Sequence, residues 1–335
     1  MRRMLCALLA VCLVSVAACD KGQPAAGPAS KPSSPLKIAY SDWPGWVAWE
    51  IAIQKGWFKE EGVPVEFVWL DYVKSMEAFG GGQVDAVCMT NGDAMVTGST
   101  GKPSTLVVLN DYSNGNDMIV AKSGYADLKS LKGKKIAVEL NFVDHLLLLK
   151  GLEKAGMSEK DVVLVNVPTN DTPKALASGD VEAIAAWQPN SGAALKQVAG
   201  SKSIFSSKDV PGLIYDGLYA SKESVGARAE DWQKVAKVWM KVVEFIKNPV
   251  TKDEAIKIMA ARVGLSTAEY APLMEGTFFL DLEGNLKAFE KSDALTSIYG
   301  SGELVNKFNV EKGVYKTAAD VGSYIEPRFV KALKK

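Results

Sequence analysis

The chain has 335 residues, 47% of them apolar and 23% charged, and its 39 basic and 39 acidic side chains balance to a net charge of zero. That composition describes a globular protein of about two domains and excludes a disordered or collagenous chain. Zero net charge removes any compositional case for nucleic acid as a partner, and a single histidine, His145, leaves no material for a His-rich metal site, so no metal is expected.

In chain order, Arg2 and Arg3 precede an apolar run, Met4–Ala18, of signal-peptide length but short of the ~20 residues that span a bilayer. The run ends in Val16-Ala17-Ala18-Cys19, which resembles the lipobox of bacterial lipoproteins. The resemblance implies removal of residues 1–18 and a lipid anchor on Cys19. Cys6 and Cys12 would leave with the signal, so Cys88 has no partner for an internal disulfide. Asp20–Pro35 carries four prolines and no large apolar residue, and residues 19–35 read as a flexible tether. At ~3.1 Å per residue such a tether reaches about 50 Å.

Beyond the tether the sequence nearly repeats itself. Lys37-Ile38-Ala39-Tyr40 recurs as Lys135-Ile136-Ala137-Val138, each followed by a polar loop and a helical stretch that closes on Gly62 or Gly156. A β-rich run follows in both copies, Val63–Leu70 or Val162–Val167, then a second helical stretch. Each copy ends in a Gly-x-Val-acid-Ala phrase, Gly82–Val87 or Gly179–Ile184. One order of elements repeated at an offset of 94 to 98 residues predicts two α/β lobes, each built from βαβ units around a mainly parallel sheet flanked by helices. Short strands at Asn116–Ala121 and Asp216–Ala220 flank the second copy. The expected division is therefore lobe 1 over 36–115 and 221–335, lobe 2 over 122–214, and hinge crossings at 116–121 and 215–220.

The remainder reads as mainly helical. Trp232, Val235, Val238, Trp239, Val242 and Ile246 mark one face of a helix that stops at Asn248-Pro249, and Ser266-x-x-Glu269 is a capping box opening another. Their apolar stripes are core positions that pad lobe 1.

Ligands of parallel sheets bind at the carboxyl ends of the strands. The repeat nominates Ser41–Trp46, Thr90–Asp93, Glu139–Asp144 and Trp187–Asn190, and the crossings add Asp111–Asp117 and Tyr215-Asp216. These segments carry Asp42, Asp93, Asp111, Asp117, Glu139, Asp144 and Asp216 without one lysine or arginine, together with Trp43, Trp46, Trp187, Tyr112 and Tyr215. A cleft so lined attracts cations, and aromatic faces contribute about 0.5–2 kcal/mol per cation–π contact. Other roles stay open: Asp93 and Asp144 as acids favouring first helical turns, Asp111, Asn114 and Asn116 as turn formers, Trp187 as core. The candidate ligand-binding set is Asp42, Trp43, Trp46, Asn91, Asp93, Glu139, His145, Trp187, Tyr215 and Asp216.

The lipobox, the tether, the paired lobes, the Gly-x-Val-Asp-Ala phrase and the Gly133–Val138 strand followed by His145 together resemble the periplasmic substrate-binding proteins of ABC importers for nitrate, sulfonate, taurine and thiamine-pyrimidine precursors. The resemblance covers nearly the whole mature chain. It implies the type II binding-protein fold, a monomer without catalysis or cofactor, and a periplasmic or outer-surface, lipid-anchored position. It also implies that a small-molecule ligand is handed to a permease and its ATPase. Sulfonate and taurine relatives hold their anion with Ser/Thr hydroxyls and helix N-terminal amides. Here the matching places read Asn141–Asp144 and Asn91-Gly92-Asp93, a departure from an oxoanion site. Ser41–Trp46, Thr90–Asp93 and Ala186–Asn190 resemble a branch associated with urea-carboxylase and guanidine-utilisation systems, which implies a guanidino or amidine cargo. The alternatives are an oxoanion such as nitrate, taurine or an alkanesulfonate, and an enzyme like the thiamine-pyrimidine synthase of the same fold, for which His145 is the sole candidate.

Overall fold

A computed structural model describes residues 34–334. The expected signal peptide, the Cys19 lipid site and the tether up to residue 33 lie outside the described residues. Eleven strands are present among them: β1 (Leu36–Tyr40), β2 (Val65–Trp69), β3 (Ala86–Thr90), β4 (Ser104–Ser113), β5 (Met118–Ala121), β6 (Lys135–Val138), β7 (Val163–Asn166), β8 (Ala183–Ala186), β9 (Lys202–Ser206), β10 (Tyr215–Ser221) and β11 (Thr277–Phe279). They form a six-stranded sheet in the order β11-β4-β10-β3-β1-β2 and a five-stranded sheet in the order β7-β6-β8-β5-β9.

The internal repeat is visible as two equivalent parallel triplets. β1 lies between β2 and β3, and β6 lies between β7 and β8, with Ile38 opposite Ala86 in the first and Ile136 opposite Ala183 in the second. Gly62 (φ 66°) and Gly156 (φ 72°) follow matching helices in left-handed backbone, a conformation that costs any residue with a Cβ and ends the helix so that the next strand can start. Parallel pairing stops at the triplets. β10 joins β3 and β4 antiparallel, β11 adds to β4, and β5 pairs antiparallel with β8 and β9, so both sheets are mixed.

The chain passes between the sheets at residues 114–117 and 207–214. The segments read as crossings, 116–121 and 215–220, fall largely within the sheets: every residue of β5 and β10 is buried. A strand hydrogen-bonded on both edges and covered on both faces has no freedom to act as a joint, which moves the flexible positions to the loops beside it.

Helices cover the sheets. Among them are α1 (Tyr72–Gly80), α2 (Asn91–Ser99), α3 (Val143–Lys154), α4 (Thr172–Ser178), α5 (Asn190–Gln197), α6 (Ala229–Lys247), α7 (Thr267–Glu275) and α8 (Ile298–Glu311). All six stripe residues of α6 are buried, and Trp239 meets Trp49 with ring centroids 4.7 Å apart. The helix gives way at Asn248, since Pro249 has no N–H to continue it. Ser266 and Glu269 form the reciprocal capping box at the start of α7. The main core surrounds the six-stranded sheet and reaches into the other half through Val143, Leu146, Leu147 and Trp187. The five-stranded sheet has a smaller apolar cluster on each face.

Candidate functional site

The loop after β1 sets the first wall. Pro44 starts a short helix at Pro44–Val47 and Gly45 leaves its inner side bare; a Cβ there would lie 1.7 Å from Asp111 Oδ2. That close approach lets Trp43 Nε1 donate to Asp111 Oδ1 at 3.0 Å. Trp46, one turn on, stacks on Tyr72 with centroids 5.0 Å apart. The Tyr72 hydroxyl donates to Asp93 Oδ2 at 2.6 Å and accepts from the Thr90 amide at 3.1 Å. Thr90 caps α2 by accepting from the Asp93 amide. Asp93 is therefore both an acid of a first helical turn and part of the cleft, two roles that are compatible.

Trp43, Trp46, Tyr72, Thr90, Asp117, Val143, Trp187, Ile214 and Asp216 line a narrow cavity of about 10 Å³ between the two halves. Behind this wall Asp111 stands opposite Asp216 across β4 and β10, and Asp144 meets Asp117. Asp93, Asp111, Asp117, Asp144 and Asp216 are each no more than 3% exposed. One oxygen of Asp111, of Asp117 and of Asp216, both of Asp144, and the indole N–H of Trp46 have no hydrogen-bonding partner. The carboxyl oxygens face one another, and a donor lies between them only when one carboxyl carries a proton. Burial, followed by the neighbouring acids, drives all five toward the neutral form. Burial raises Asp93 to about 6 and Asp117 to about 7, and holds Asp111, Asp144 and Asp216 well above the usual carboxylate range. No lysine or arginine lines the cavity among the described residues. Nor do the described residues hold any group of three or more His, Cys, Asp or Glu arranged for a metal ion.

Outside the cavity lies a wider depression of about 410 Å³, lined among others by Asp42, Asp71, Tyr72, Glu139, Thr169 and Trp187. Trp187 and Tyr72, in edge-to-face contact at 5.4 Å, belong to both spaces and separate them. Asp42 accepts from Trp187 Nε1 at 3.5 Å and from Asn190 Nδ2 at 3.4 Å, and burial raises it to about 6. Glu139 Oε2 accepts from the Thr169 amide and hydroxyl, and burial raises its pKa despite them.

Of the candidate set, Trp43, Trp46, Trp187 and Asp216 line the inner cavity, Asp93 supports it through Tyr72, and Asp42 and Glu139 line the outer depression. Three candidates lie off both spaces. Asn91 is a tie, donating to Ser301 Oγ at 2.9 Å and accepting from the Tyr215 amide at 3.3 Å. Tyr215 precedes Asp216 on β10, and successive strand residues point to opposite faces; Tyr215 lines a separate surface cavity with Tyr112 and Phe278. His145 accepts from the Asn141 amide at 3.1 Å, lies 3.6 Å from Glu159 and stands edge-on to Phe308, with burial lowering its pKa toward the neutral ring. Tyr72, Asp71 and Thr169 escaped the reading of the sequence. They follow β2 and β7, whose carboxyl ends obey the rule applied to β1, β3, β6 and β8.

Comparison with known proteins places this geometry in a lineage. A binding protein of Brucella abortus (strain 2308), provisionally so named, is 28% identical over 196 residues, 58% of this chain and 60% of its own length. The chain thus matches about 60% of the curated relatives' length; a Brucella suis protein gives the same figures. Among solved structures, the periplasmic aliphatic sulphonate binding protein of Escherichia coli superposes with a TM-score of 0.72 at 18% identity, over 89% of this chain and 100% of that one. The periplasmic nitrate-binding protein of Synechocystis gives 0.70 at 13% identity, over 89% of each chain. These likenesses show the fold, the α/β fold of periplasmic binding proteins with two helix-flanked sheets. With residues 29–260 matched by the profile of that family, the chain belongs to the NMT1-like family.

Proposed function

We propose that the protein is the extracytoplasmic solute-binding component of an ABC importer, held at the membrane by a lipid on Cys19, and that it captures a small planar cation between its two halves. Guanidine or a small guanidino or amidine compound is the cargo this reading names. The observation that carries it is the inner cavity: three tryptophans and a tyrosine around Asp117 and Asp216, three further buried aspartates behind them, and no base. Acids alone accept any cation, whereas acids framed by aromatic faces favour one that is flat and weakly hydrated. A guanidinium offers donors in a fixed fork to the carboxyls and stackable faces to the indoles. Sodium and ammonium, compact and strongly hydrated, lose more water than these walls return.

The fold neighbours named for sulphonate and nitrate favour an oxoanion as a second reading. The cavity speaks against it, because no basic side chain lines its wall. The enzymatic alternative draws no support from this lining, since its one candidate, His145, bonds to Asn141 and stands against Phe308 away from the cavity. Calorimetry with guanidinium, methylguanidine, agmatine, choline, taurine and nitrate decides between the readings. Tight binding of taurine or nitrate without response to any cation restores the oxoanion.

A further inference from the structure

The five cleft aspartates pose a charge problem that one cargo ion does not solve. Asp111 and Asp216 are direct partners on adjacent antiparallel strands, so their carboxyls share a face, an arrangement that is destabilising when both are ionised. Asp117, in the first crossing, meets Asp144 in the first turn of α3. The first pair belongs to the six-stranded half, the second joins the crossing to the five-stranded half, and Asp93 of α2 faces both Asp117 and Asp144.

The surroundings supply no counter-charge. The titratable groups facing these pairs are Cys88 on β3, Tyr219 on β10, Tyr270 on α7, Asp93 on α2 with Tyr72 on α1, and Glu139 beyond β6. All are acids when they ionise. Lys312, beside His145, pairs with Glu159, and Arg262, beside Tyr40, pairs with Glu50. Shutting several ionised carboxylates into such a space is prohibitive, and two carboxyls sharing one proton replace a repulsion with a strong hydrogen bond.

We propose that protons are a second occupant of this cleft: without cargo the halves close only when Asp111/Asp216 and Asp117/Asp144 each hold a shared proton, and the cargo cation takes the place of one of them. The inference rests on the cation reading above. Opening admits water, which solvates ionised carboxylates; closing removes it and raises their affinity for protons. Lower pH therefore favours the closed empty state. Where that state prevails, a cation must displace a proton to enter, so its apparent affinity falls as pH falls, by about tenfold per unit for one proton exchanged.

Small-angle scattering of the full chain at pH 5 and pH 8.5, with and without low-millimolar guanidinium at matched ionic strength, tests this, joined with calorimetry near pH 6 in two buffers of different ionisation enthalpy. The expected result is a cargo-free particle that is compact at pH 5 and expanded at pH 8.5, is made compact at pH 8.5 by guanidinium, and releases about one proton on binding near pH 6. Asp117→Asn and Asp144→Asn, which put an amide donor where the shared proton sits, should each keep the cargo-free particle compact to higher pH. A cargo-free radius equal at both pH values, with guanidinium still compacting the particle and no proton released, overturns the proton inference and leaves the cation reading standing. Absence of heat and of compaction with guanidinium, methylguanidine and agmatine at pH 8.5 overturns the cation reading itself.

Discussion

Trp187 and Asp42 meet across the line where the two halves face each other, the indole N–H donating to the carboxyl at 3.5 Å while Asn190 donates to the other oxygen at 3.4 Å. This contact sits between the inner cavity and the outer depression, with the Trp187 ring as the partition. Trp187→Phe removes the donor and shortens the partition while keeping an aromatic face. It should raise the cargo dissociation rate several-fold more than it lowers the association rate, as stopped-flow tryptophan fluorescence would measure.

The carboxyls of the inner wall should outweigh both those of the outer depression and the rings. Asp216→Asn removes one carboxyl partner of a desolvated guanidinium and should cost about 2–5 kcal/mol of binding. Trp46→Phe, which loses part of a stacking face, should cost about 1 kcal/mol. Glu139→Gln should cost less than Asp216→Asn, because Glu139 is already held by Thr169 outside the cavity. Calorimetric titration with guanidinium gives the order, and a Glu139 effect larger than that of Asp216 would move the site to the outer depression.

Stability without cargo should rise on mild acidification. Burial raises Asp93 to about 6. Between the ordinary carboxylate value near 4 and that value, the folded chain keeps a proton that the unfolded chain has lost, so stability declines as pH rises through the window. The cargo-free Tm should be higher at pH 5 than at pH 7.5, and Asp93→Asn should flatten the difference. Scanning calorimetry at the two pH values checks it.

Gly45 has no room for a side chain against Asp111 and Trp43. Gly45→Ala should displace the Asp111 carboxyl, break its bond to Trp43 and destabilise the fold by about 1–3 kcal/mol. Asp111→Ala in the same chain should recover part of that loss, and a double-mutant cycle on Tm and guanidinium affinity would register the coupling.

Cys19→Ser should release the binding domain from the membrane without altering its affinity for cargo. Metabolic labelling with a palmitate analogue that leaves the wild-type chain unlabelled would refute the anchor.

Much of this architecture was legible because its signals are local. The two parallel triplets follow from strand-sized apolar runs that begin just after helical stretches closed by Gly62 and Gly156, and the burial of α6 follows from a stripe of period 3.6. What escaped depends on partners distant in sequence. Nothing in Tyr215–Ser221 announces that it will lie between β3 and β4 rather than bridge the halves, since pairing is chosen by whole edges. Tyr215 and Asp216 could have been separated in advance, because neighbours on a strand cannot both face one cleft. Tyr72 and Thr169 were lost by applying the strand-end rule to two strands of each triplet instead of three. His145 carries no local mark of its environment; only the approach of α8 with Phe308 reveals that its ring is packed against an apolar surface.

The place of β10 also governs the order in which the molecule can assemble. β3 and β4 are neighbours in sequence but do not pair, because a strand completed only at Ser221 lies between them. A chain emerging amino terminus first from a ribosome or a translocation pore therefore presents β1 to β4 as a split sheet with an open seam. The segment that builds the five-stranded sheet, β5 to β9, emerges whole and contiguous before the seam can close. Contacts between segments so far apart form slowly and leave sheet edges uncovered meanwhile. The later-made half is thus the first able to fold, and the six-stranded sheet, begun first, is finished last.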